Sequence, residues 1–169
     1  MKLIAAVSEN WGIGKNNGLL FDIPEDMKFF RKTTMGKTVI MGRKNLESFP
    51  NGKPLKNRTN VVLTRDTEYC PEGVKIVHSI GELLTLDCVD GNAFVIGGES
   101  IYKQLIDYCD LCYITKVYET VDCDRFMVNL DESAEWRLVS ESEKIEDNGH
   151  IISFCIYERV KGGAEDATA

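Results

Sequence analysis

Asp26 stands in the stretch Ile23-Pro24-Glu25-Asp26-Met27-Lys28-Phe29-Phe30, where helical spacing puts it in register with Ile23, Met27 and Phe30. Acidic residues in a helix's first turn complement its dipole, which accounts for Glu25 and Asp26 alike. It does not account for a carboxylate in line with an apolar stripe. Such a group is costly in an apolar pocket unless paired, so Asp26 is expected to seek donors such as the amidine-like edge of a ligand.

Two other stretches run a buried strand into glycine and then into a helix: Ile40-Met41-Gly42-Arg43-Lys44-Asn45 and Val95-Ile96-Gly97-Gly98-Glu99-Ser100. Glycine permits close backbone approach, and the free N–H groups at a helix start favour an anion. Either turn alone reads as a strand end. Together, with Arg43 and Lys44 in one of them, they could grip a pyrophosphate from both sides. Thr64-Arg65 ends another strand and adds a hydroxyl and a guanidinium suited to a further phosphate, although Arg65 alone would be a solvated charge.

Ala5 and Ala6 occupy the first strand where Val or Ile would be routine. They leave room for a flat ring against the sheet, or for a closely packed helix. Gly12-Ile13-Gly14-Lys15-Asn16-Asn17-Gly18 imitates a dinucleotide fingerprint, but the glycine spacing is wrong and the continuation opens no helix. It reads as a flexible cover for a ligand or as a simple connector.

Short, mostly apolar, β-branched runs at 3–7, 38–41, 60–64, 93–96 and 111–117 read as strands buried on both faces. Helical patterns fall at 24–33, 43–48, 79–87 and 100–108, with Pro24 in a first turn and Ser79 as a cap. Their alternation predicts an α/β fold with crossover connections and about four flanking helices. Strand-like runs at 136–140 and 151–160 flank Asp147-Asn148-Gly149, a hairpin signal. The expected architecture is one domain over 1–161, with a mixed, mostly parallel central sheet of about eight strands, a C-terminal antiparallel hairpin, and a solvated tail over 162–169.

The 169 residues are 43% hydrophobic and 28% charged, ordinary for one soluble domain. A net charge of −7 with scattered acids argues against nucleic acid as a partner. No run is long enough for a membrane span, and the apolar start turns polar at Ser8, too soon for a signal peptide; a cytoplasmic protein is expected. The six cysteines then read as reduced thiols. Cys109-Asp110-Leu111-Cys112 lacks a second ligand pair, and His78 and His150 are isolated, so no metal site is expected.

These residues, in this order, resemble the dihydrofolate reductase family of the bacterial chromosomal type over nearly the whole chain to Val160. The carriers are Leu3-Ile4-Ala5-Ala6, Ile13-Gly14, the Ile23–Phe30 stretch, Val39-Ile40-Met41-Gly42-Arg43, Glu47-Ser48-Phe49, Pro54-Leu55-Lys56-Asn57-Arg58-Thr59-Asn60, Val95-Ile96-Gly97-Gly98 and Ile114-Thr115. The resemblance implies NADPH-dependent reduction of 7,8-dihydrofolate to tetrahydrofolate, with antifolates as further ligands and a monomer as the working unit. Asp26 would accept hydrogen bonds from the 2-amino group and N3 side of the pterin, supported by Thr115 directly or through water. Ile4, Ala5 and Ile96 would border the pterin, the first and last through their carbonyls.

By the same resemblance, Met27, Phe30, Phe49 and Leu55 would wall the aminobenzoyl ring, and Arg58 would clamp the glutamate α-carboxylate. Ala6, Ile13, Gly14 and Tyr102 would lie near the nicotinamide. Gly42, Arg43, Lys44, Asn45, Gly97, Gly98, Ser100 and Ile101 would hold the phosphates and neighbouring groups. Arg43, Thr64 and Arg65 would favour the 2′-phosphate, and the Gly97-Gly98 peptide would be cis.

The chain departs from the family pattern at four places. Phe21 replaces a tryptophan whose indole N–H would hold a water, and Leu20 replaces a proline. Asn45 and Leu46 stand for threonine and an aromatic residue. Asp122-Cys123-Asp124-Arg125-Phe126-Met127 keeps only the aspartate of an Asp-Thr-x-Phe-Pro pattern. Two rival readings are a riboflavin-pathway reductase acting on a ribosylamino-pyrimidine, and a noncatalytic nucleotide-binding module. Asp26 with Arg58 favours folate over the first; Asp26, Thr115 and both glycine turns disfavour the second.

Overall fold

The computed structural model describes residues 1–160, so the expected tail lies outside the described residues. The strands are β1 (Lys2–Val7), β2 (Gly12–Gly14), β3 (Thr38–Gly42), β4 (Thr59–Leu63), β5 (Val74–Val77), β6 (Phe94–Gly97), β7 (Leu111–Val117), β8 (Arg125–Phe126), β9 (Trp136–Glu141), β10 (Ile145–Asp147) and β11 (His150–Arg159). The helices are α1 (Pro24–Thr34), α2 (Arg43–Glu47), α3 (Ile80–Thr85) and α4 (Glu99–Leu105). Nine strands form one sheet in the order β10-β11-β7-β1-β6-β3-β4-β5, with β9 also on β11, while β2 and β8 make a separate ribbon.

From β7 to β5 every pairing is parallel, and β11 joins β7 antiparallel. The strand pleat sends alternate residues to opposite faces. Ile40 accordingly enters a large core with Leu3, Val95, Leu83 and Leu105, while its neighbours Val39 and Met41 pack on the other face with Leu46 and Val62. The α/β fold with a mixed sheet and four helices is as expected.

Four short strands were not foreseen: β2 and β8, which pair within and against the glycine-bearing loop, β5 on the sheet edge, and β10. The hairpin expectation needs correction in its partner. Asn148 and Gly149 both have positive φ, 51° and 80°, and turn the chain between β10 and β11. The strand expected at 136–140 is β9, which pairs further along β11, from Cys155 to Arg159.

That hairpin also fixes the start of α1. Pro24 opens the helix, whose N-cap residue Ile23 supplies no side-chain bond. The Glu25 N–H donates instead to Asp147 Oδ2 at 2.7 Å, and Asn148 Nδ2 donates to the Asp22 carbonyl at 2.7 Å. A carboxylate at a helix start satisfies a free donor and complements the dipole.

Candidate active site

Gly42, Thr64 and Gly97 lie at or just beyond the C-terminal ends of β3, β4 and β6, three adjacent parallel strands. On β1 and β7, Ala6 pairs with Thr115. Parallel α/β sheets present their ligand crevice along this edge, where strands hand over to loops and helix starts. The sheet therefore gathers most of the sequence-selected groups on one rim.

Asp26 faces this rim from α1. The Thr115 hydroxyl donates to Asp26 Oδ1 at 2.6 Å. Burial pushes the Asp26 carboxyl above the ordinary carboxylate range, and the Thr115 bond partly opposes that shift. Among the described residues no cation pairs with it. A cavity beside it is lined by Ala6, Ile13, Leu20, Phe21, Ile23 and Met27 among others.

Of the apolar stripe, Met27 lines this opening, as does Ile23, which also packs with Val117 and Ile152. Of the helix's eleven residues only Thr34 is buried, and Met27 is 49% exposed. Ile23 is buried but precedes the helix, and Phe30 is half-buried. An amphipathic helix that leaves its apolar side uncovered beside a carboxylate has the composition of a ligand wall.

Across the cleft, Phe49, Leu55 and Ile96 are partly buried against the Val39–Met41 face of the sheet. Arg58 Nε donates to the Lys56 carbonyl at 2.9 Å and Nη1 to Thr34 Oγ1 at 3.2 Å. Thr34 Oγ1 in turn donates to the Phe30 carbonyl. These bonds fix the guanidinium plane while leaving donors unused, the preparation bidentate carboxylate binding requires.

The Tyr102 hydroxyl lies 2.7 Å from the Ile4 carbonyl and 2.9 Å from that of Ile96. Tyr102 is buried, and burial drives its phenol far above the usual range, so it remains a donor. Ala5 is buried on β1, and Ala6 is half-buried.

The two glycine turns abut. A Cβ on Gly42 would meet Ile101 Cγ1 at 3.0 Å, and one on Gly97 would meet the Tyr102 ring at 3.4 Å. Gly97 holds φ +127°, which side-chain-bearing residues rarely adopt, and the Gly97-Gly98 peptide is cis. No neighbouring atom lies within 4 Å of the Cβ position on Gly98, so its backbone faces open space. Gly42 and Gly98, the N-cap residues of α2 and α4, offer no side-chain cap. Lys44, Arg65 and Ser100 are exposed nearby, Asn45 and Thr64 half-exposed, and Ile101 buried. Ser100 Oγ accepts from Gln104, which leaves its own proton available.

Arg43 is less free than its sequence position implies. Nη1 donates to Asp66 Oδ2 at 2.9 Å, and Nε lies 3.3 Å from Glu47 Oε1. The i,i+4 spacing of Arg43 and Glu47 signals one contact. Asp66 was missed because its partner lies across a strand pair.

The glycine-bearing loop is tied down by the segment that departs from the family pattern. Gly12 and Gly14 pair with Phe126 and Arg125, the Asp124 N–H donates to the Gly14 carbonyl, and Asn16 N–H donates to Asp124 Oδ2 at 3.1 Å. Asp122 pairs with Lys15. Of the two aspartates, Asp124 thus holds the loop backbone. Phe21 packs edge-on against His150, their centroids 5.3 Å apart.

No metal-ligating cluster occurs among the described residues, and no helix is long and apolar enough to cross a membrane. Cys109 and Cys112 are buried free thiols, consistent with packing. The two glycine turns, Thr115 and the Asp26 carboxylate therefore lie along one rim.

Known proteins share this arrangement. The dihydrofolate reductase family model matches residues 1–159. The dihydrofolate reductase of Bacillus subtilis is 38% identical over 94% of each chain, and that of Staphylococcus haemolyticus 35% identical over 95% of this chain and 96% of its own. A solved structure of dihydrofolate reductase from Enterococcus faecalis, complexed with NADP(H) and RAB-propyl, superposes with a TM-score of 0.84 at 33% identity, covering 95% of this chain and 96% of that one. Matched from residue 1 to residue 159, a span that holds the sheet, both glycine turns and the helix with Asp26, the chain belongs to the dihydrofolate reductase family.

Proposed function

We propose that this protein reduces 7,8-dihydrofolate to 5,6,7,8-tetrahydrofolate with NADPH. The observation that carries the reading is the half-buried, cation-free Asp26 carboxylate, tied by Thr115 at one oxygen beside an apolar cavity. A 2-amino-pterin edge offers the paired N–H donors such a group lacks. Asp26 anchors that edge, and Ile4, Ala5 and Ile96 border the ring. Met27, Phe30, Phe49 and Leu55 wall the aminobenzoyl group, while Arg58 holds the α-carboxylate of the tail.

The free backbone of the two glycine turns fits a pyrophosphate, and complexation of the Enterococcus relative with NADP(H) supports the same cofactor here. Gly42, Lys44, Asn45, Gly97, Gly98, Ser100 and Ile101 border the phosphates and neighbouring groups; Arg43, Thr64 and Arg65 receive the 2′-phosphate. Ala6, Ile13, Gly14 and Tyr102 border the nicotinamide, which supplies the hydride for C6 of the pterin. Asp26 favours the proton at N5 electrostatically, and the proton reaches N5 by way of water. Leu20 and Phe21, with Ile13 beside the same cavity, shield that region from bulk solvent.

NADPH oxidation by the purified protein, followed spectrophotometrically with dihydrofolate, tests this. Turnover by the parent and its loss in Asp26→Asn are expected. NADPH binding without dihydrofolate-driven turnover refutes the folate reading, and an Asn variant as active as the parent at neutral pH refutes the role of Asp26.

A further inference from the structure

We propose that Asp66 is a specificity-determining residue that weakens this protein's preference for NADPH over NADH, by occupying Arg43 and opposing the 2′-phosphate. The proposal rests on the glycine rim being the NADPH seat. Asp66 is fixed on three sides. Its Oδ2 accepts from Arg43 Nη1 at 2.9 Å, its Oδ1 accepts from the Glu68 N–H at 3.0 Å, and its own N–H donates to Thr64 Oγ1 at 3.2 Å. Asp66 thus touches two of the groups assigned to the 2′-phosphate, Arg43 through its carboxylate and Thr64 through its backbone N–H.

Arg43 has a second carboxylate neighbour and an aromatic one. Its Nε is 3.3 Å from Glu47, and the Tyr69 ring lies 5.7 Å from the guanidinium carbon. A phosphate that approaches Arg43 shares the guanidinium with two carboxylates, or displaces Asp66 from Nη1. Like charge at that range opposes the phosphate dianion, and a cofactor without the phosphate feels no comparable opposition. The Thr64 hydroxyl, accepting from the Asp66 N–H, keeps its own proton for a phosphate oxygen, so the turn binds and the side chain opposes.

Asp66→Asn keeps the shape and one oxygen for the turn but removes the charge. Dissociation constants of NADPH and NADH, measured by fluorescence on parent and variant at low and high salt, test the proposal. At low salt the Asn variant is expected to bind NADPH about three- to tenfold more tightly, as for removal of one half-exposed opposing charge, with NADH changed less than about twofold. The gain should shrink in high salt. Asp66→Glu, which keeps the charge, should retain the parental ratio. An unchanged NADPH-to-NADH ratio in Asp66→Asn overturns the role of Asp66 alone, and so does a selective loss of NADPH affinity, which would make Asp66 a positioner of Arg43. Failure of the parent to bind either cofactor overturns the cofactor reading and the role of Asp66 with it.

Discussion

Thr115 on β7 and Asp26 on α1, 89 residues apart, meet through a 2.6 Å hydrogen bond. It is the only side-chain partner of the carboxylate among the described residues, so α1 and the sheet share responsibility for its orientation. The hairpin turn that binds the start of α1 through Asp147 and Asn148 sets the same geometry from the other end.

Asp26 costs the free protein stability at neutral pH. Its folded pKa is raised by burial, so the folded state holds the proton more tightly than the unfolded chain does. Stability from this group is full below the ordinary carboxylate value and is lost as pH rises through the raised folded value. Asp26→Asn is therefore expected to melt at a higher temperature than the parent at pH 7, with no gain in acid below both values. Thermal unfolding at the two pH values measures this, and turnover of the same variant should fall at least about a hundredfold.

Thr115→Val removes the one bond that lowers the Asp26 pKa, leaving the burial that raises it. The inflection in the pH dependence of dihydrofolate reduction should move to higher pH. The KM for dihydrofolate should rise while NADPH affinity stays near the parental value, since Thr115 faces the acid and not the glycine turns. A shift to lower pH, or none, would detach Thr115 from the chemistry.

The features legible in the sequence were those set by local pattern. Continuous apolar runs marked the parallel strands, glycine after a strand marked both rim turns, and helical spacing marked Asp26. What escaped depends on tertiary pairing. β2, β8 and β10 are too short to carry a period of their own, and β5 is interrupted by the exposed Lys75; each exists because a neighbour pairs with it. The Asn148-Gly149 turn was readable, but which strand it returned to was not, because β11 is long enough to pair with both β9 and β10. Likewise the apolar face of α1 was visible, while its exposure to a cleft instead of the core was not.

Arg58 should matter for the substrate's tail and for little else. Its guanidinium is held by Lys56 and Thr34, outside the glycine rim. Arg58→Lys loses the planar two-point grip on a carboxylate, so the KM for dihydrofolate should rise about tenfold or more. With a dihydropteroate lacking the glutamate, parent and variant should perform alike. Steady-state kinetics on both substrates checks the assignment, and an equal penalty on both would place Arg58 in a structural role.

Tyr102→Phe tests whether the Ile4 and Ile96 carbonyls face the pterin. One hydroxyl proton serves two carbonyl oxygens, at 2.7 and 2.9 Å, and Ile4 is only 5% exposed. Removing the hydroxyl leaves both acceptors short of a donor, a loss of about 1–3 kcal/mol in the ligand-free protein. A diamino antifolate brings N–H groups of its own. If the carbonyls border the ligand, those groups replace part of what the hydroxyl supplied. Saturating inhibitor should then raise the melting temperature of Tyr102→Phe by more than it raises that of the parent. An equal rise in both proteins would mean that the carbonyls serve Tyr102 alone and that the heterocycle is held by Asp26 without them.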